Sequence, residues 1–357
     1  MQKIFSTNRI RESSFEPPYY KTFLGRSRSS YSALFISDMH CGNFYSICSQ
    51  KPYISAGNTC WTPEKFNEDM LWFWDSLNDR VAKRPTMLTI NGEFIDGNNR
   101  NAQGMGLWSG DLNDQADDAI KLIKRLKYDN VTVTKGSPYH SKTESINIDE
   151  MIARRISAYS YSGIYSQYDK TGKKRNKKIQ NTINTETNGK GNNITIKYYL
   201  YYRILDYVFN IVHKIGYSKN AQYRPTPVSR EMMIAEFEKN KLFNDNEFND
   251  DTTTLYIRSH THNNLDVGFN HSRGIVTPCW KLFDDYLSMS GISATDIGAL
   301  EIILDPNEYQ LVYHLLPSKL RPKIKIPDFT PSPSSSRNKP TLKPKPIVIK
   351  NKNKIVI

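Results

Sequence analysis

The chain has 357 residues, of which 38% are hydrophobic, and it carries a formal net charge of +13. This length allows one large domain or two ordinary ones with a sizeable core. The four cysteines form no CxxC pair, which excludes a small disulfide scaffold and favours free thiols in a reducing compartment. The first residues lack the apolar segment of a secretory signal, and the most apolar run, residues 198–212, is too short for a bilayer span. We therefore expect a soluble cytoplasmic protein with no membrane partner.

The positive charge is concentrated near the C-terminus. Eleven Lys or Arg residues lie from Lys319 onward, against the single acidic residue Asp328. Residues 317–357 are also rich in Pro, so we expect a disordered basic tail, which either attracts polyanions such as nucleic acid or only solubilises the protein. Residues 169–193, rich in Lys, Asn and Gly, predict a flexible basic insertion. The polar residues 1–30 predict an irregular arm, which leaves 31–316 as the folded domain.

Within the folded part, short apolar runs alternate with amphipathic ones. The apolar runs predict strands over residues 33–37, 86–90, 131–134, 205–212, 252–257, 297–304 and 309–316. Apolar residues at three- and four-residue spacing predict helices over about 63–81, 116–126, 148–156 and 228–240. Thr62 is the predicted N-cap of the first helix, with Pro63 at its first position. This alternation predicts an α/β fold with functional loops at the ends of the strands.

Potential metal ligands follow five of the predicted strands: Asp38 and His40; Glu93 and Asp96; His140; His213; His260 and His262. Five of the seven histidines belong to this set. The Asp-x-His and His-x-His pairs project to one side of an extended segment, because side chains repeat every second residue. Carboxylate oxygens and imidazole nitrogens suit Mn, Fe or Zn. Since strand-end loops on one edge of a sheet converge, the pattern predicts a two-metal site.

Each of these residues also has a structural interpretation when it is considered alone. His213 has the apolar neighbours of a core histidine, and Glu93 and Asp96 are residue types common in turns and helix caps. His140 follows Pro138-Tyr139, where it is equally suited to fixing a loop. Other candidates are interpreted as first-turn helix acids or as structural histidines: Glu144, Asp149, Glu150, His271 and His314.

The order of the motifs resembles the calcineurin-like metallophosphoesterases, in which Asp-x-His, Gly-Asp-x-x-Asp, Gly-Asn-His, a lone His and Gly-His-x-His follow one another. The corresponding segments here are Asp38-Met39-His40, Gly92-Glu93-Phe94-Ile95-Asp96, Gly136-Ser137-Pro138-Tyr139-His140, His213 and Ser259-His260-Thr261-His262. The sequence departs from the family pattern at Glu93, which is longer than the bridging Asp, and at Ser137, where the family has an Asn ligand. The third block is similar to that of phage-encoded members, which favours a phage origin and a location in the host cytoplasm.

The resemblance implies a four-layer αββα sandwich of two mixed β-sheets flanked by helices. It implies two divalent metal ions (Mn, Fe or Zn), one held by four residues and the other by three. The first set is Asp38, His40, Glu93 and His262; the second is Glu93, His213 and His260. Asp38 and His140 are the expected catalytic residues, with His140 as a further ligand or as the general acid.

We therefore expect a dinuclear, metal-dependent phosphoesterase that acts through a metal-bound hydroxide. The basic segments at 173–178 and 319–354 favour a phosphodiester of nucleic acid or a nucleotide as substrate, so the protein would be a phosphodiesterase or nuclease with DNA or RNA as partner.

Four residues are expected to meet that substrate. Ser137, Tyr139 and Asn263 are predicted contacts, and Tyr139 and Trp108 are predicted to be exposed and to stack on bases. The alternative is a catalytically impaired binding protein of the same fold, whose tail tethers nucleic acid or a virion surface.

Overall fold

Twelve strands and five helices make up the regular structure of the part of the chain described below. The strands are β1 Tyr31–Ile36, β2 Tyr53–Ile54, β3 Thr59–Cys60, β4 Thr86–Asn91, β5 Asn130–Thr134, β6 Tyr199–Ile204, β7 Tyr207–Val212, β8 Thr253–Arg258, β9 Leu265–Phe269, β10 Ser272–Val276, β11 Gly298–Leu304 and β12 Tyr309–Leu315. The helices are α1 Lys65–Arg80, α2 Leu112–Ile123, α3 Pro138–Ser141, α4 Ile148–Arg155 and α5 Thr226–Leu242. Short 3₁₀ turns cover Ala221–Tyr223 and Ser318–Leu320.

The structure is a computed structural model that describes residues 30–54, 59–98, 104, 106–141, 148–156, 198–218, 220–242, 253–269, 272–282 and 294–321. The predicted arm up to residue 29, the insertion at 169–193 and the tail beyond Arg321 lie outside these residues. Within them, no helix is long and apolar enough to cross a membrane. Three described cysteines are buried free thiols, as the spacing of the cysteines predicts: Cys41, Cys48 and Cys279.

The main strands form two five-stranded mixed sheets, and β2 and β3 form a small ribbon. The first sheet has the order β12-β11-β1-β4-β5, with β1, β4 and β5 parallel to one another and β11 antiparallel to β1. The second has the order β6-β7-β8-β10-β9, with β7, β8 and β10 parallel. The second sheet therefore has a parallel centre with antiparallel edges, whereas the first is parallel from β1 to its edge strand β5 and antiparallel on the β11–β12 side.

The alternation of side chains along β1 shows how the layers are stacked. Ala33 and Phe35 belong to the apolar cluster that both sheets share, and the Phe35 ring stacks on Phe209 of the second sheet with centroids 5.7 Å apart. Leu34 and Ile36 point the other way, into a cluster with the apolar faces of α1, α2 and α4. On the far side of the second sheet, α5 contacts β10. The order of layers is helix, sheet, sheet, helix, so the predicted fold class is confirmed.

The parallel strands position the candidate ligands. Each predicted ligand segment follows one of β1, β4, β5, β7 or β8, and parallel strands end at the same edge of their sheet. Main-chain hydrogen bonds connect these loops: the His40 N–H donates to the Glu93 carbonyl (3.1 Å), and the Ser259 N–H to that of His213 (2.9 Å). The Asn91 side-chain amide donates to Ser259 Oγ (2.6 Å), which ties the loops of the two sheets together.

Two local predictions differ from the structure. Helix α1 begins at Lys65 with Glu64 as its N-cap, not at Pro63 with Thr62 as the cap. Glu64 and Asn67 form a capping box, in which the Glu64 N–H donates to Asn67 Oδ1 (3.0 Å). The strand predicted over 205–212 begins two residues later, at Tyr207, because Leu205, with a left-handed φ of 53°, and Asp206 form the turn of the β6–β7 hairpin.

Candidate metal centre

Six side chains from four loops form one cluster. Their nitrogen and oxygen atoms fall into two overlapping groups, and within each group all ligand atoms lie within 4.8 Å of one another. One group is Asp38, His40, Glu93 and His262; the other is Asp38, Glu93, His213 and His260. These groups contain the two ligand sets that the sequence predicts, with Asp38 reaching both. The tertiary fold has therefore gathered residues that are separated by up to 224 positions of chain.

Glu93 lies between the two groups, with one carboxylate oxygen directed to each. Its Oε2 is 3.1 Å from Nε2 of His40. Its Oε1 is 3.1 Å from Nε2 of His213 and 3.4 Å from Nδ1 of His260. Although Glu93 is one methylene longer than Asp, its carboxylate thus lies between the two groups.

Asp38 is fully buried and approaches the same histidines from the other side. Its Oδ1 is 3.4 Å from Nε2 of His262 and 3.9 Å from Nε2 of both His40 and His213. Its Oδ2 accepts the backbone N–H of His260 (3.2 Å). Oδ2 of Asp38 thus holds the loop that carries His260, and Oδ1 faces the cluster.

Hydrogen bonds behind the cluster set the orientation of two imidazoles. His40 Nδ1 donates to Asp96 Oδ1 (2.9 Å), and His213 Nδ1 donates to the carbonyl of Asn91 (2.6 Å). Each bond leaves Nε2 facing the carboxylates. Such partners fix the tautomer and ring orientation of metal-binding histidines in known sites.

The backbone at the cluster has an unusual conformation. Asp38, His40, Glu93, His260 and His262 all have positive φ, between 48° and 72°. In the described chain, only one other non-glycine residue shares this conformation. Left-handed backbone at a non-glycine residue costs on the order of 1–3 kcal/mol and is concentrated at functional sites. Five such residues in one cluster indicate that the fold gives up stability to aim these side chains.

Two glycines are required by the close approach of the loops. Gly92 has a φ of 74°, and a Cβ there would lie 2.7 Å from Cγ of His213. A Cβ on Gly136 would overlap the backbone nitrogen of Glu93 and lie 2.8 Å from its Cγ. The glycines of the second and third sequence blocks therefore allow the ligand loops to touch.

The electrostatics of the cluster favour bound positive charge. Burial opposes a charged imidazole, but Glu93 and Asp38 outweigh it and raise the pKa of His213 to about 9. The His40 pKa is also raised to about 9, since its hydrogen bonds to Asp96 and Glu93 outweigh burial. The Glu93 pKa lies well below its usual value because His213 and His140 overcome the effect of burial. In the metal-free site the carboxylates thus hold protons on these two imidazoles, and a divalent cation bound by the neutral imidazoles would supply that positive charge instead.

The donor atoms also fit such a cation. Asp38 Oδ1, His213 Nε2 and His260 Nδ1 are buried and lie 3.1–3.4 Å from another ligand atom of the cluster, yet none of them forms a well-aligned hydrogen bond within the described structure. Unpaired buried polar atoms of this kind are uncommon in a folded protein and require an explanation. Three inward-facing orphan atoms, in a set of carboxylates and imidazoles, match the coordination of Mn, Fe or Zn.

The third block of the motif series, residues 136–140, lies against this cluster. Ser137 Oγ donates to Glu93 Oε1 (2.7 Å), so the serine restrains the bridging carboxylate. His140 donates from Nδ1 to the carbonyl of Asp96 (2.7 Å), and its Nε2 is 3.9 Å from Glu93 Oε1. His140, His40 and Asp96 form a third group with ligand-like spacing. Tyr139 is half-buried, with its ring edge-on to His140 at 4.9 Å.

Three supporting residues were missed or misread in the sequence. Lys281, only 3% exposed, places Nζ 3.1 Å from Asp96 Oδ1, and Asn43 donates to Asp96 Oδ2 (3.0 Å). In the sequence, the only sign that Lys281 is buried is its position in the otherwise apolar run 279–283. Asp149, predicted to be a simple first-turn acid, is fully buried and accepts the N–H of Gly136 (3.0 Å). It therefore holds the third block in place.

Asn263 and Trp108, both predicted to meet the substrate, differ in how far they are buried. Asn263 is half-buried directly after His262, and its side-chain amide donates to the carbonyl of Thr261 (2.7 Å). Trp108 is buried rather than exposed and lies parallel to Trp61 with ring centroids 6.2 Å apart. It is therefore not available for stacking on bases. The predicted basic segment at 173–178 lies outside the described residues, as does the tail segment beyond Arg321.

No family model matches the chain, and no curated protein matches it in sequence. Several solved structures are similar. Zinc-bound Vps29 from Entamoeba histolytica has 9% identity and a TM-score of 0.34, over 80% of this chain and 99% of that one. A predicted phosphoesterase from Streptococcus pneumoniae has 8% identity and a TM-score of 0.32, over 80% and 90% of the two chains.

A 5'-nucleotidase from Candida albicans has 9% identity and a TM-score of 0.31, over 79% of this chain and 50% of that one. These similarities are weak, and no functional conclusion depends on them. The functional assignment depends on the geometry of the cluster.

Proposed function

We propose that the protein is a metal-dependent phosphoesterase that holds two divalent cations. The observation that supports this most directly is the position of Glu93, whose two oxygens face two different histidine groups at 3.1 Å. A carboxylate in that position suits a pair of cations better than one. When bound, such a pair supplies charge for phosphoryl oxygens, activates water near neutral pH and stabilises an in-line displacement.

The chain's own residues would hold and orient this site. One cation would be held by Asp38, His40, Glu93 and His262, and the other by Glu93, His213 and His260 with Asp38 in reach. Ser137, in place of the expected Asn, would act by restraining Glu93. The hydrogen bonds of Asp96 and Asn91 to the histidines would keep Nε2 directed inward.

His140 is the candidate group for proton transfer to the leaving oxygen. Its Nδ1 proton is engaged by the Asp96 carbonyl, so any proton exchanged with substrate is carried on Nε2. Burial lowers the His140 pKa, while Glu93 acts in the opposite direction. A histidine with a lowered pKa is mostly neutral at pH 7, so only the fraction of the protein that is protonated at His140 could donate to the leaving oxygen. A role as an additional ligand uses the same Nε2 atom.

The substrate proposed is a phosphodiester of nucleic acid or a nucleotide. The support is the basic composition of residues 173–178 and 319–354. The alternative, a binding protein that has lost the second cation, is motivated by the departures at Glu93 and Ser137. The metal analysis and ester panel described next distinguish the phosphoesterase from the binding protein.

The experiment is metal analysis combined with a panel of bis(p-nitrophenyl) phosphate and p-nitrophenyl phosphate. We expect two equivalents of Mn, Fe or Zn per chain and turnover of at least one ester. His262→Gln is expected to keep at most one equivalent and to lose about 10²–10³-fold in rate, since several kcal/mol of charge stabilisation are removed. His314→Gln is the matched control, because His314 is bonded to Glu301 and not to the cluster.

One equivalent or none in the wild-type protein, with no turnover of either ester in any of the three metals, would support the binding protein. Hydrolysis that survives complete chelation would exclude a metal-dependent mechanism altogether.

A further inference from the structure

A cavity of about 230 Å³ adjoins the metal-ligand segments. One wall is formed by Thr261, which lies between two of the ligands, and by Asn263 and Asn264, which follow directly. The rest of the lining includes the segment after His213 (residues 215–217) and Arg224, which lies just before α5. The cavity wall is therefore continuous with three of the candidate ligands: His213, His260 and His262.

The floor of this cavity is apolar, and one side carries a flat cationic and aromatic surface. Ile215, Val228 and Val276 form a small buried cluster beneath it. The guanidinium carbon of Arg224 lies 5.8 Å from the centre of the Tyr217 ring, in a cation–π contact. Apolar and π surfaces of this kind favour a planar ring over a sugar or a simple alkyl group.

Two side chains that line the cavity each have a buried polar atom without a partner among the described residues. These atoms are Nε of Arg224, a donor, and Oδ1 of Asn264, an acceptor. The Asn264 backbone is fixed, because its N–H donates to Asp296 Oδ2 (2.9 Å) and the Asp296 N–H donates to the carbonyl of His262 (2.9 Å). A buried donor and a buried acceptor left unpaired each cost free energy. A ligand whose edge offers an acceptor and a donor would satisfy both.

We infer that this cavity binds the base of a nucleoside that is esterified to the phosphate, an inference that rests on the proposed phosphoesterase function. A nucleobase is planar and has acceptors and donors side by side on its edge. The volume is below the roughly 300–1,000 Å³ of pockets for drug-sized ligands, so it suits one ring system rather than a longer segment. The specificity of the site would then come from Arg224 and Asn264 and not from the metal ligands.

The test compares two esters with the same chromophore: thymidine 5'-(p-nitrophenyl phosphate) and ethyl p-nitrophenyl phosphate. The measured quantity is the ratio of kcat/KM for the nucleoside ester to that for the ethyl ester. We expect Arg224→Ala and Asn264→Ala each to lower this ratio about tenfold, which corresponds to one lost hydrogen bond in a buried site. Arg230→Ala on the exposed side of α5 and Asn307→Ala in the exposed β11–β12 turn are matched controls and should leave the ratio unchanged.

A second measurement does not depend on turnover. Binding of free thymidine and adenosine to the metal-free protein is followed by NMR saturation transfer or calorimetry, and both cavity variants are expected to weaken it about tenfold. A ratio close to one in the wild-type enzyme, or the same ratio in all variants, overturns the inference while the phosphoesterase proposal stands. If neither ester is hydrolysed, the phosphoesterase proposal fails. Independently of hydrolysis, the cavity assignment is overturned if nucleoside binding is undetectable or is unaffected by the two substitutions.

Discussion

Glu93 and Glu301 are both buried glutamates in contact with histidine, and the difference between them separates a functional site from a structural one. Glu301 lies within regular strand β11. Its Oε1 accepts from Ser32 Oγ (2.7 Å) and from the Ala82 N–H (2.9 Å), and its Oε2 accepts from His314 Nε2 (2.8 Å). Both carboxylate oxygens of Glu301 are thus hydrogen-bonded, and its backbone is that of a regular strand.

Glu93 differs in both respects. Its φ is 52°, and the nitrogens of His40 and His213 face it at 3.1 Å, within a cluster that contains three orphan buried atoms. Burial and a histidine partner are therefore not what marks a site. The distinguishing features are strained backbone and inward-facing atoms that the protein itself leaves unpaired.

The largest expected effect is that of Glu93→Gln. An amide offers one neutral acceptor oxygen where the carboxylate offers two charged ones, so we expect the loss of both metal equivalents and about a 10³-fold fall in kcat/KM. Metal analysis and ester hydrolysis measure the two quantities. Full retention of two equivalents by a folded Glu93→Gln protein would contradict the bridging role.

A smaller effect is expected from Lys281→Met. Lys281 Nζ lies 3.1 Å from Asp96, which in turn orients His40, so its removal loosens a ligand without touching the cluster. Substitution of such outer partners typically costs about 10–100-fold in metal affinity. Competition with a chelator of known affinity gives the value. Lys281→Arg keeps the cation and should lose less; equal losses in both variants would point to packing rather than to the ion pair.

Gly136→Ala tests the closeness of the ligand loops. A methyl group there overlaps the backbone of Glu93, and relief of such overpacking costs about 1–3 kcal/mol. Denaturant unfolding of the metal-free protein measures the change. Gly110→Ala is the control, because no atom lies within 4 Å of the position that a Cβ would take there. The free energy of unfolding of this control should change by less than about 0.5 kcal/mol.

The smallest effect is expected from Glu301→Gln, and it concerns stability alone. Burial would raise the Glu301 pKa, but hydrogen bonds from His314, Ser32 and Ala82 outweigh it and hold the pKa below its usual value of 4.5. The ionised form is therefore stabilised in the folded state, so this contribution is present above about pH 4.5 and is lost as the pH falls through the folded-state pKa. We expect a destabilisation of about 1.5 kcal/mol at pH 7 that shrinks in acid.

Urea unfolding of wild type and Glu301→Gln as a function of pH measures this difference. Metal content should be unchanged in the variant. Loss of metal from it would remove the distinction between the two glutamates.

Local patterns along the chain were enough to predict much of this arrangement. The alternation of short apolar runs with amphipathic segments predicted an α/β fold and the strand ends that carry Asp38, Glu93 and the histidines, and the resemblance implied the two mixed sheets. Side-chain periodicity acts over a few residues, so it is readable without the fold.

The remaining features depend on contacts between distant segments, which only the folded chain brings together. Lys281 meets Asp96 across 185 positions of chain, and Trp108 is buried because Trp61 covers it. The left-handed backbone at Asp38 and His260, and the choice of which Glu93 oxygen faces which histidine, are imposed by the packing of one loop on another. No window of sequence contains such pairings, since they arise only when the two sheets pack face to face.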